Sequence, residues 1–513
     1  VCRIHVTGKR MLSLIIFIPL IAALGLLIIS KENTAAIKMV GVGASGASLA
    51  LSLWLLFSFD TTNAGMQFVQ MLHWVPALHI NYLVGVDGIS LWMVVLTAFL
   101  GLIAIIFSFT QKEGLRNFVA LMLALEAGTL GVFLALDTIL FYVFWELMLV
   151  PTYFLIGIWG EGRRIYATMK FVIFTLVGSL LMLVAILSLT MIHYGATHDV
   201  TFDLRVLTHT HIDPATQMWM FFFFFVAFAI KIPVFPLHSW LPHAYVACPI
   251  PALILLTGAM SKTGAYGFLR FCLPLFPEAV ESFAPTIGLM AAAGMVYGAW
   301  IAIAQKDLKA LVAYSSISHL GFIVIGIFAH NGTGIEGSVL QMVNHGIIAS
   351  ALFLIVAFIE MRMGTRNLNE LRGLSKAMPV LYGSFMLIML AALGLPGLNG
   401  FVGEFMILMG VWTSKMFSGL SGVLVLMGGL SIVFASIYML YMFQGSMQET
   451  SDNLPDGLTD IDKREFKLIL PACLLIILIG LYPKPFVDRI TPSVDSLLHL
   501  EKTVNLHAGE EEH

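Results

Sequence analysis

Charge is scarce in this chain: 11% of its 513 residues are Asp, Glu, Lys or Arg, while 59% are hydrophobic. Soluble domains carry about 25% charged residues, so a water-soluble protein of this length is excluded. Cysteine is nearly absent as well. Cys2, Cys248, Cys272 and Cys473 are scattered without paired spacing, which argues against a disulfide framework, an iron–sulfur site or covalently attached haem; they read as small core residues. Polar stretches able to form a domain of their own are missing too. The longest, Asp60 to Asp87, Tyr194 to Gln217, Gln448 to Arg464 and the tail from Lys484, are too short or too polar to bury a core. No nucleotide, flavin or quinone motif is visible, no cluster of oxygen ligands suggests a sodium cage, and no nucleic-acid partner is expected.

What the chain has is apolar length. A bilayer-spanning helix needs about 20 mostly apolar residues, and fourteen such runs lie near 11–30, 36–58, 88–110, 117–136, 138–159, 167–193, 216–240, 250–276, 284–304, 308–329, 335–361, 378–411, 420–443 and 467–483. They are continuous rather than alternating, which excludes a β-barrel. The expected fold is an all-α polytopic membrane protein of about fourteen transmembrane helices. Residues 1–10 read as an N-terminal extension without function, with the true start expected at Met11. Residues 11–483 form the transmembrane domain, and 484–513 a polar C-terminal tail ending in the charged, mobile HAGEEEH. The first run is longer than a usual signal-peptide core and lacks a clean small-residue cleavage site before Lys31, so it is expected to be retained.

Counting Lys and Arg by side sets the orientation. Sixteen, including Lys112, Arg163, Arg164, Lys309, Arg362 and Arg366, follow odd-numbered runs, and nine fall on the other side. Both termini are therefore expected to face away from the cytoplasm.

Four charges lie too deep in apolar sequence to be incidental: Glu146 in FYVFWELMLVPTYFLIGIWG, Lys231 in FAIKIPVFPLHSWLP, Lys262 in ILLTGAMSKTGAYGFLRF and Glu404 in AALGLPGLNGFVGEFMILMG. Ionisable groups at membrane depth are costly and by default mark function. Pro233 and Pro236 lack N–H groups and should break the seventh helix just after Lys231, leaving the carbonyls of Ala229 and Ile232 without their usual donors. In lipid such carbonyls are tolerated only inside protein or beside a hydrated cavity. The twelfth run repeats the device with Gly394, Pro396, Gly397, Gly400 and Gly403 ahead of Glu404. Two interrupted helices five apart, each carrying a charge, suggest a transporter built from two inverted five-helix repeats, helices four to eight and nine to thirteen.

His319 in AYSSISHLGF and His345 in QMVNHGIIASALF offer polar midpoints to the second half, and histidine relays protons near neutral pH. Ser315 lies one helical turn from His319, close enough to share a hydrogen bond. Glu126 in LMLALEAGTLG is a further intramembrane acid, either a helix–helix hydrogen-bond partner or an accessory proton site. Glu360 is expected to pair with Arg362 at a helix end. The Gly41, Gly43 and Gly46 cluster permits close helix approach, within the chain or to a partner, and the Phe221 to Phe225 run reads as a packing or lipid-facing surface. Each site residue has a bland alternative: a structural ion pair for Glu146 and Lys231, a snorkelling amine for Lys262, satisfied packing histidines for His319 and His345.

The segments FYVFWELMLVPTYFLIGIWG, KIPVFPLHSWLPHAY, SKTGAYGFLRFCLPLFP, DLKALVAYSSISHLGF, NHGIIASALFL and GLPGLNGFVGEF resemble the antiporter-like membrane subunits of proton-pumping NADH:quinone oxidoreductase, complex I, over roughly Met11 to Tyr482. FWELMLVP points to the M, or chain 4, branch rather than to its sisters L and N. The resemblance implies that Glu146 and Lys231 are a coupled midplane pair, that Lys262 passes the proton centrally, that His319 and His345 continue a hydrated axis, and that Glu404 is the exit-side group. It also implies that this chain carries no cofactor or metal of its own. NADH, FMN, iron–sulfur clusters and quinone belong to partner subunits, other membrane-arm chains including L and N are its neighbours, and a bacterial-type inner membrane is its location. The chain departs from the family pattern at His243, where Asp is usual, at the Ala247 to Pro251 loop containing Cys248, and in MLYMFQGSMQ, which lacks basic residues.

A carboxylate near a buried amine favours its charged form and burial disfavours it, so movement of Glu146 relative to Lys231 would switch proton retention. The expected sequence is loading at Lys231, relay by Lys262, His345 and His319, and discharge at Glu404. The alternatives are a subunit of a multisubunit sodium/proton antiporter and a non-transporting scaffold in a membrane oxidoreductase or hydrogenase.

Overall fold

A computed structural model of the chain describes residues 10–448 and 457–510, with side chains described to residue 499. All but the last residue of the expected N-terminal extension lies outside the described residues, as does the end of the HAGEEEH segment.

Helices dominate. The first half comprises α1 (Met11–Leu26), α2 (Thr34–Ser58), α3 (Gly88–Phe107), α4 (Leu115–Leu134), α5 (Thr138–Trp159), α6 (Arg164–Thr197), α7 (Pro214–Lys231) and the short α8 (Leu241–Ala247). After α8 the eighth apolar run is a chain of short pieces, α9 (Ile250–Leu255) and α10 (Lys262–Gly267), joined by π-helical turns at Leu256–Met260 and Phe268–Cys272. The second half continues with α11 (Pro277–Ile303), α12 (Leu308–Phe328), α13 (Gly332–Met363), α14 (Pro379–Ala392), α15 (Asn399–Trp412), α16 (Ser421–Phe443), α17 (Lys463–Leu481) and α18 (Lys484–Glu510).

Among the described residues ten helices are long and apolar enough to cross a membrane, or eleven if α17 and α18, bent by 71°, count as one. The chain is thus an integral, multi-pass membrane protein. The difference from the fourteen runs lies in segments that are helical but short or interrupted: α1, the pieces of the eighth run, and α14 with α15.

The helix ends follow local chemistry. Asp87 caps α3 in a reciprocal capping box with Ser90, Asp137 caps α5 and Asp307 caps α12, each satisfying first-turn N–H groups that have no intrahelical partner. Burial separates the helices by role. α12 and α13 are enclosed almost wholly by protein, whereas α6 and α16 keep one side of exposed Ile, Leu and Val for lipid.

One region differs from the all-α reading. The Asp60 to Asp87 stretch contains an antiparallel hairpin, β1 (Gln67–Val75) and β2 (Ile80–Val86), with Met71 opposite Leu83 and His73 opposite Asn81. It is clipped to the start of α5 by the Asn81 N–H, which donates to Asp137 Oδ2 at 3.0 Å. The polar segment from Lys484 folds as the helix α18. Ile490 and Val494 are fully buried, Phe486 stacks on Trp92 with centroids 4.5 Å apart, and Thr491 Oγ1 donates to Glu336 Oε1 at 2.6 Å. An amphipathic sequence buries its apolar stripe when α3 and α13 offer a surface for it.

Smaller expectations also change. Glu360 pairs with Arg366 at 3.2 Å rather than with Arg362, which is held by Glu465 at 2.6 Å. Gly41 allows α2 to approach Val119 of α4, while a Cβ at Gly43 or Gly46 would meet nothing within 4 Å among the described residues. Of the phenylalanine run, Phe221, Phe224 and Phe225 pack inward and Phe222 is exposed.

Candidate functional site

The seventh helix ends where its prolines require. α7 stops at Lys231, and Pro233 and Pro236 prevent its continuation. The freed backbone is satisfied inside the protein. Ala229 O accepts from the Val234 N–H at 2.8 Å, and Ile230 O accepts from Trp240 Nε1 at 2.8 Å, so Ala229, expected to lack a donor, has one. The twelfth run is interrupted between α14 and α15, with Gly394 and Gly397 at φ of 77° and 93°, the left-handed region that glycine enters without strain. The Leu395 N–H reaches back to Leu390 O at 3.0 Å.

Close backbone approach packs the eighth run against α13 and α7. A Cβ on Gly346 would sit 2.7 Å from the Gly258 carbonyl oxygen, and one on Gly264 would sit 2.6 Å from Phe228 O. Small residues at these crossings let the polar side chains meet.

Lys262 is fully buried, and its Nζ contacts Thr257 O at 2.5 Å, Ser261 Oγ at 3.3 Å and His345 Nδ1 at 2.7 Å. The His345 and His319 rings lie 5.9 Å apart, and His345 Nε2 is buried without a hydrogen-bond partner. His319 Nδ1 contacts Glu404 Oε1 at 2.8 Å, and that oxygen also accepts from Gln341 Nε2 at 3.2 Å. Beyond lies an amide cluster: Asn344 Nδ2 donates to Asn399 O at 2.8 Å and Asn399 Nδ2 donates to Asn344 Oδ1 at 3.2 Å. Tyr438 OH lies 3.4 Å from His319 Nε2. Four of the residues singled out from sequence, Lys262, His345, His319 and Glu404, therefore form one buried line.

The first half is arranged differently. Lys231 is 1% exposed, and its ammonium lies over the Trp145 ring at 5.0 Å and near Phe171 at 5.8 Å. Glu146, half-buried on α5, has Oε1 without a hydrogen-bond partner, and no direct Glu146–Lys231 ion pair forms among the described residues. The expected contact pair is open: Trp145, the residue before Glu146, supplies the aromatic face that the ammonium occupies. Glu146 still acts on Lys231 through space. Glu126 stands apart between α2, α3 and α4, with Oε2 accepting from Ser45 Oγ at 2.8 Å and Oε1 unpartnered. Ser315 does not join His319; its hydroxyl donates to Val312 O at 2.8 Å.

Sequence reading missed Gln341, Asn344, Asn399, Tyr438 and Lys309. Gln341 and Asn344 sit in the same apolar run as His345, and their polarity at that depth was a usable signal. Tyr438 in IYMLYMF had none. Lys309, read as a surface charge, is fully buried.

Residues 135–435 match the family described as NADH:quinone oxidoreductase/Mrp antiporter, transmembrane. The chain belongs to this family. It is similar to NADH-quinone oxidoreductase subunit M of Rhodobacter capsulatus, 39% identical with 98% of each chain covered, and to that of Escherichia coli K12, 39% identical over 90% of this chain and 92% of the relative. A chain of respiratory complex I from Thermus thermophilus superposes with a TM-score of 0.86 at 30% identity, covering 96% of this chain and 99% of that one. A chain of the Mrp complex from Dietzia sp. shares the fold, with a TM-score of 0.81 at 20% identity and 98% and 99% covered. The family match spans α5 through most of α16 and so contains every residue of the buried line.

Proposed function

We propose that this chain is a proton-translocating membrane-arm subunit of an NADH:quinone oxidoreductase, in which quinone reduction in partner subunits drives a proton along Lys231, Lys262, His345, His319 and Glu404. The observation that carries this reading is the buried line from Lys262 Nζ to Glu404 Oε1, with contacts of 2.7 and 2.8 Å at its two ends. Each member binds and releases a proton at a nitrogen or a carboxylate oxygen, and imidazole can accept at one ring nitrogen while donating from the other. The NADH, FMN, iron–sulfur clusters and quinone are held by partner subunits, and the antiporter-like sisters L and N are membrane neighbours. The complex sits in a bacterial-type inner membrane with both termini of this chain on the non-cytoplasmic side. Helices four to eight and nine to thirteen act as inverted repeats, each contributing one interrupted helix.

The open geometry of Glu146 and Lys231 supports a switch. In the state described here the ammonium rests on Trp145, a contact worth about 0.5 to 2 kcal/mol; closing onto Glu146 would hold the proton, and opening would release it toward Lys262. Moving one charge against the membrane potential costs about 2.3 kcal/mol per 100 mV, a sum that forming or breaking one partly buried pair, about 3 to 5 kcal/mol, can match. Glu146→Gln keeps the side-chain shape and removes the charge. The expected result in the assembled complex, reconstituted in sealed vesicles, is normal assembly with proton uptake abolished. Unaltered uptake would refute the switch.

A further inference from the structure

The mechanism uses two of the three lysines buried among the described residues, Lys231 and Lys262. The third, Lys309, stands in the first turn of α12, fully enclosed, and its Nζ donates to the carbonyl oxygen of Cys248 at 2.6 Å. Among the described residues no carboxylate is bonded to it. A buried amine held by a single backbone carbonyl is a poor stabilising device, and its surroundings connect in two directions.

Outward lies a charged cluster at the face read as cytoplasmic. Arg366 binds Asp307 Oδ2 at 2.6 Å, Glu161 Oε2 at 2.8 Å and Glu360 Oε1 at 3.2 Å. The charged groups that act electrostatically on Lys309 are Glu161, Arg366 and Glu360. A cavity of about 320 Å³ opens beside them, lined by Glu161, His243, Ala247, Ala310, Tyr314 and Arg366, so it reaches the neighbours in sequence of both Lys309 and Cys248. Inward, Cys248 ends α8, and Tyr245 lies one helical turn back along it. The Tyr245 hydroxyl is fully buried and faces Thr257 and Ser261, but among the described residues neither it nor the buried Thr257 Oγ1 completes a hydrogen bond of regular geometry. Unsatisfied buried hydroxyls are rare enough to need an explanation. The Thr257 backbone carbonyl and the Ser261 hydroxyl also hold Lys262 Nζ.

We propose that Lys309 is a second intake amine that joins the relay at Lys262, taking a proton from the Glu161 and Glu360 side and passing it through the hydroxyls of Tyr245, Thr257 and Ser261. The transfer balances without any co-reactant. The Lys309 ammonium loses one proton inward, each hydroxyl accepts one and releases another, the Lys262 amine gains one, and Lys309 is reprotonated from the aqueous cavity. Only N–H and O–H bonds change.

This inference rests on the proposed function, and the experiment separates the two. Lys309→Arg keeps the charge and the donor to Cys248 but does not release a proton near neutral pH; Lys309→Gln keeps a donor without the charge. Both are introduced into the whole complex, reconstituted in sealed vesicles, and protons moved per quinone reduced are compared with those of Lys262→Met. At least a tenfold loss in Lys309→Arg, similar to that in Lys309→Gln, is expected, because a merely structural donor would be replaced by arginine. Normal pumping in Lys309→Arg beside a blocked Lys262→Met overturns the intake role and leaves the function standing. Normal pumping in Lys262→Met overturns the function itself. Should neither Lys309 variant assemble, Tyr245→Phe decides: it removes one hydroxyl without altering charge, a several-fold slowing is expected, and an unchanged rate overturns the proposal.

Discussion

Replacing Glu404 by Gln tests the discharge end of the relay with little disturbance of packing. Glu404 is 3% exposed, and its Oε1 takes hydrogen bonds from His319 at 2.8 Å and Gln341 at 3.2 Å. With unit charges at that 2.8 Å separation and an effective dielectric near 20, the Coulomb attraction is about 6 kcal/mol before desolvation is counted. Burial cancels part of it, and removing one partner of such a pair costs about 3 to 5 kcal/mol. The amide oxygen of Gln still accepts from Gln341 and His319, so the fold around α13 and α15 is retained, while the carboxylate charge that takes the His319 proton is lost. At 1.36 kcal/mol per tenfold, the lost stabilisation slows the step by about two to four decades. The assay is dye-monitored acidification of sealed vesicles containing the reconstituted complex, with quinone reduction followed in parallel. Proton movement per electron at the unsubstituted level and rate would refute the relay through His319 and Glu404.

Two further outcomes concern packing that the site depends on. A Cβ at Gly101 would lie 2.6 Å from Glu126 Cδ, so Gly101→Ala must push Glu126 off Ser45 or spread α3 from α4; overpacking of this kind costs about 1 to 3 kcal/mol, and a lowered thermal-unfolding midpoint of the purified complex would register it. At Gly88 a Cβ would overlap the Arg489 carbonyl oxygen, so Gly88→Ala should lift α18 from α3, breaking the Gly88 N–H bond to Ser493 Oγ and the Trp92–Phe486 stack. Faster limited proteolysis within 484–499 is the expected readout, and an unchanged cleavage rate would show that the contact gives way elsewhere.

Some of this was written in local sequence. Apolar runs and sparse charge dictate a multi-pass helical membrane protein, because lipid leaves the backbone no partners except its own. Pro233 and Pro236, and the glycines before Glu404, end their helices for reasons internal to a few residues, and Asp87, Asp137 and Asp307 cap theirs. The depth of Glu146, Lys231, Lys262 and Glu404 in apolar sequence marked them, since a charge there must be explained wherever the helices go. Tertiary structure decided which of them meet. His345 and Lys262 are 83 residues apart, and His319 and Glu404 are 85 apart; their contacts depend on helix crossings at glycines that no local pattern specifies. The same crossings set Lys231 on Trp145 instead of on Glu146, buried Lys309 beneath the Arg366 cluster, and gave the amphipathic C-terminal segment a surface to cover. A side chain's type and depth belong to its neighbours in sequence, but its partners belong to whichever helix is packed against it.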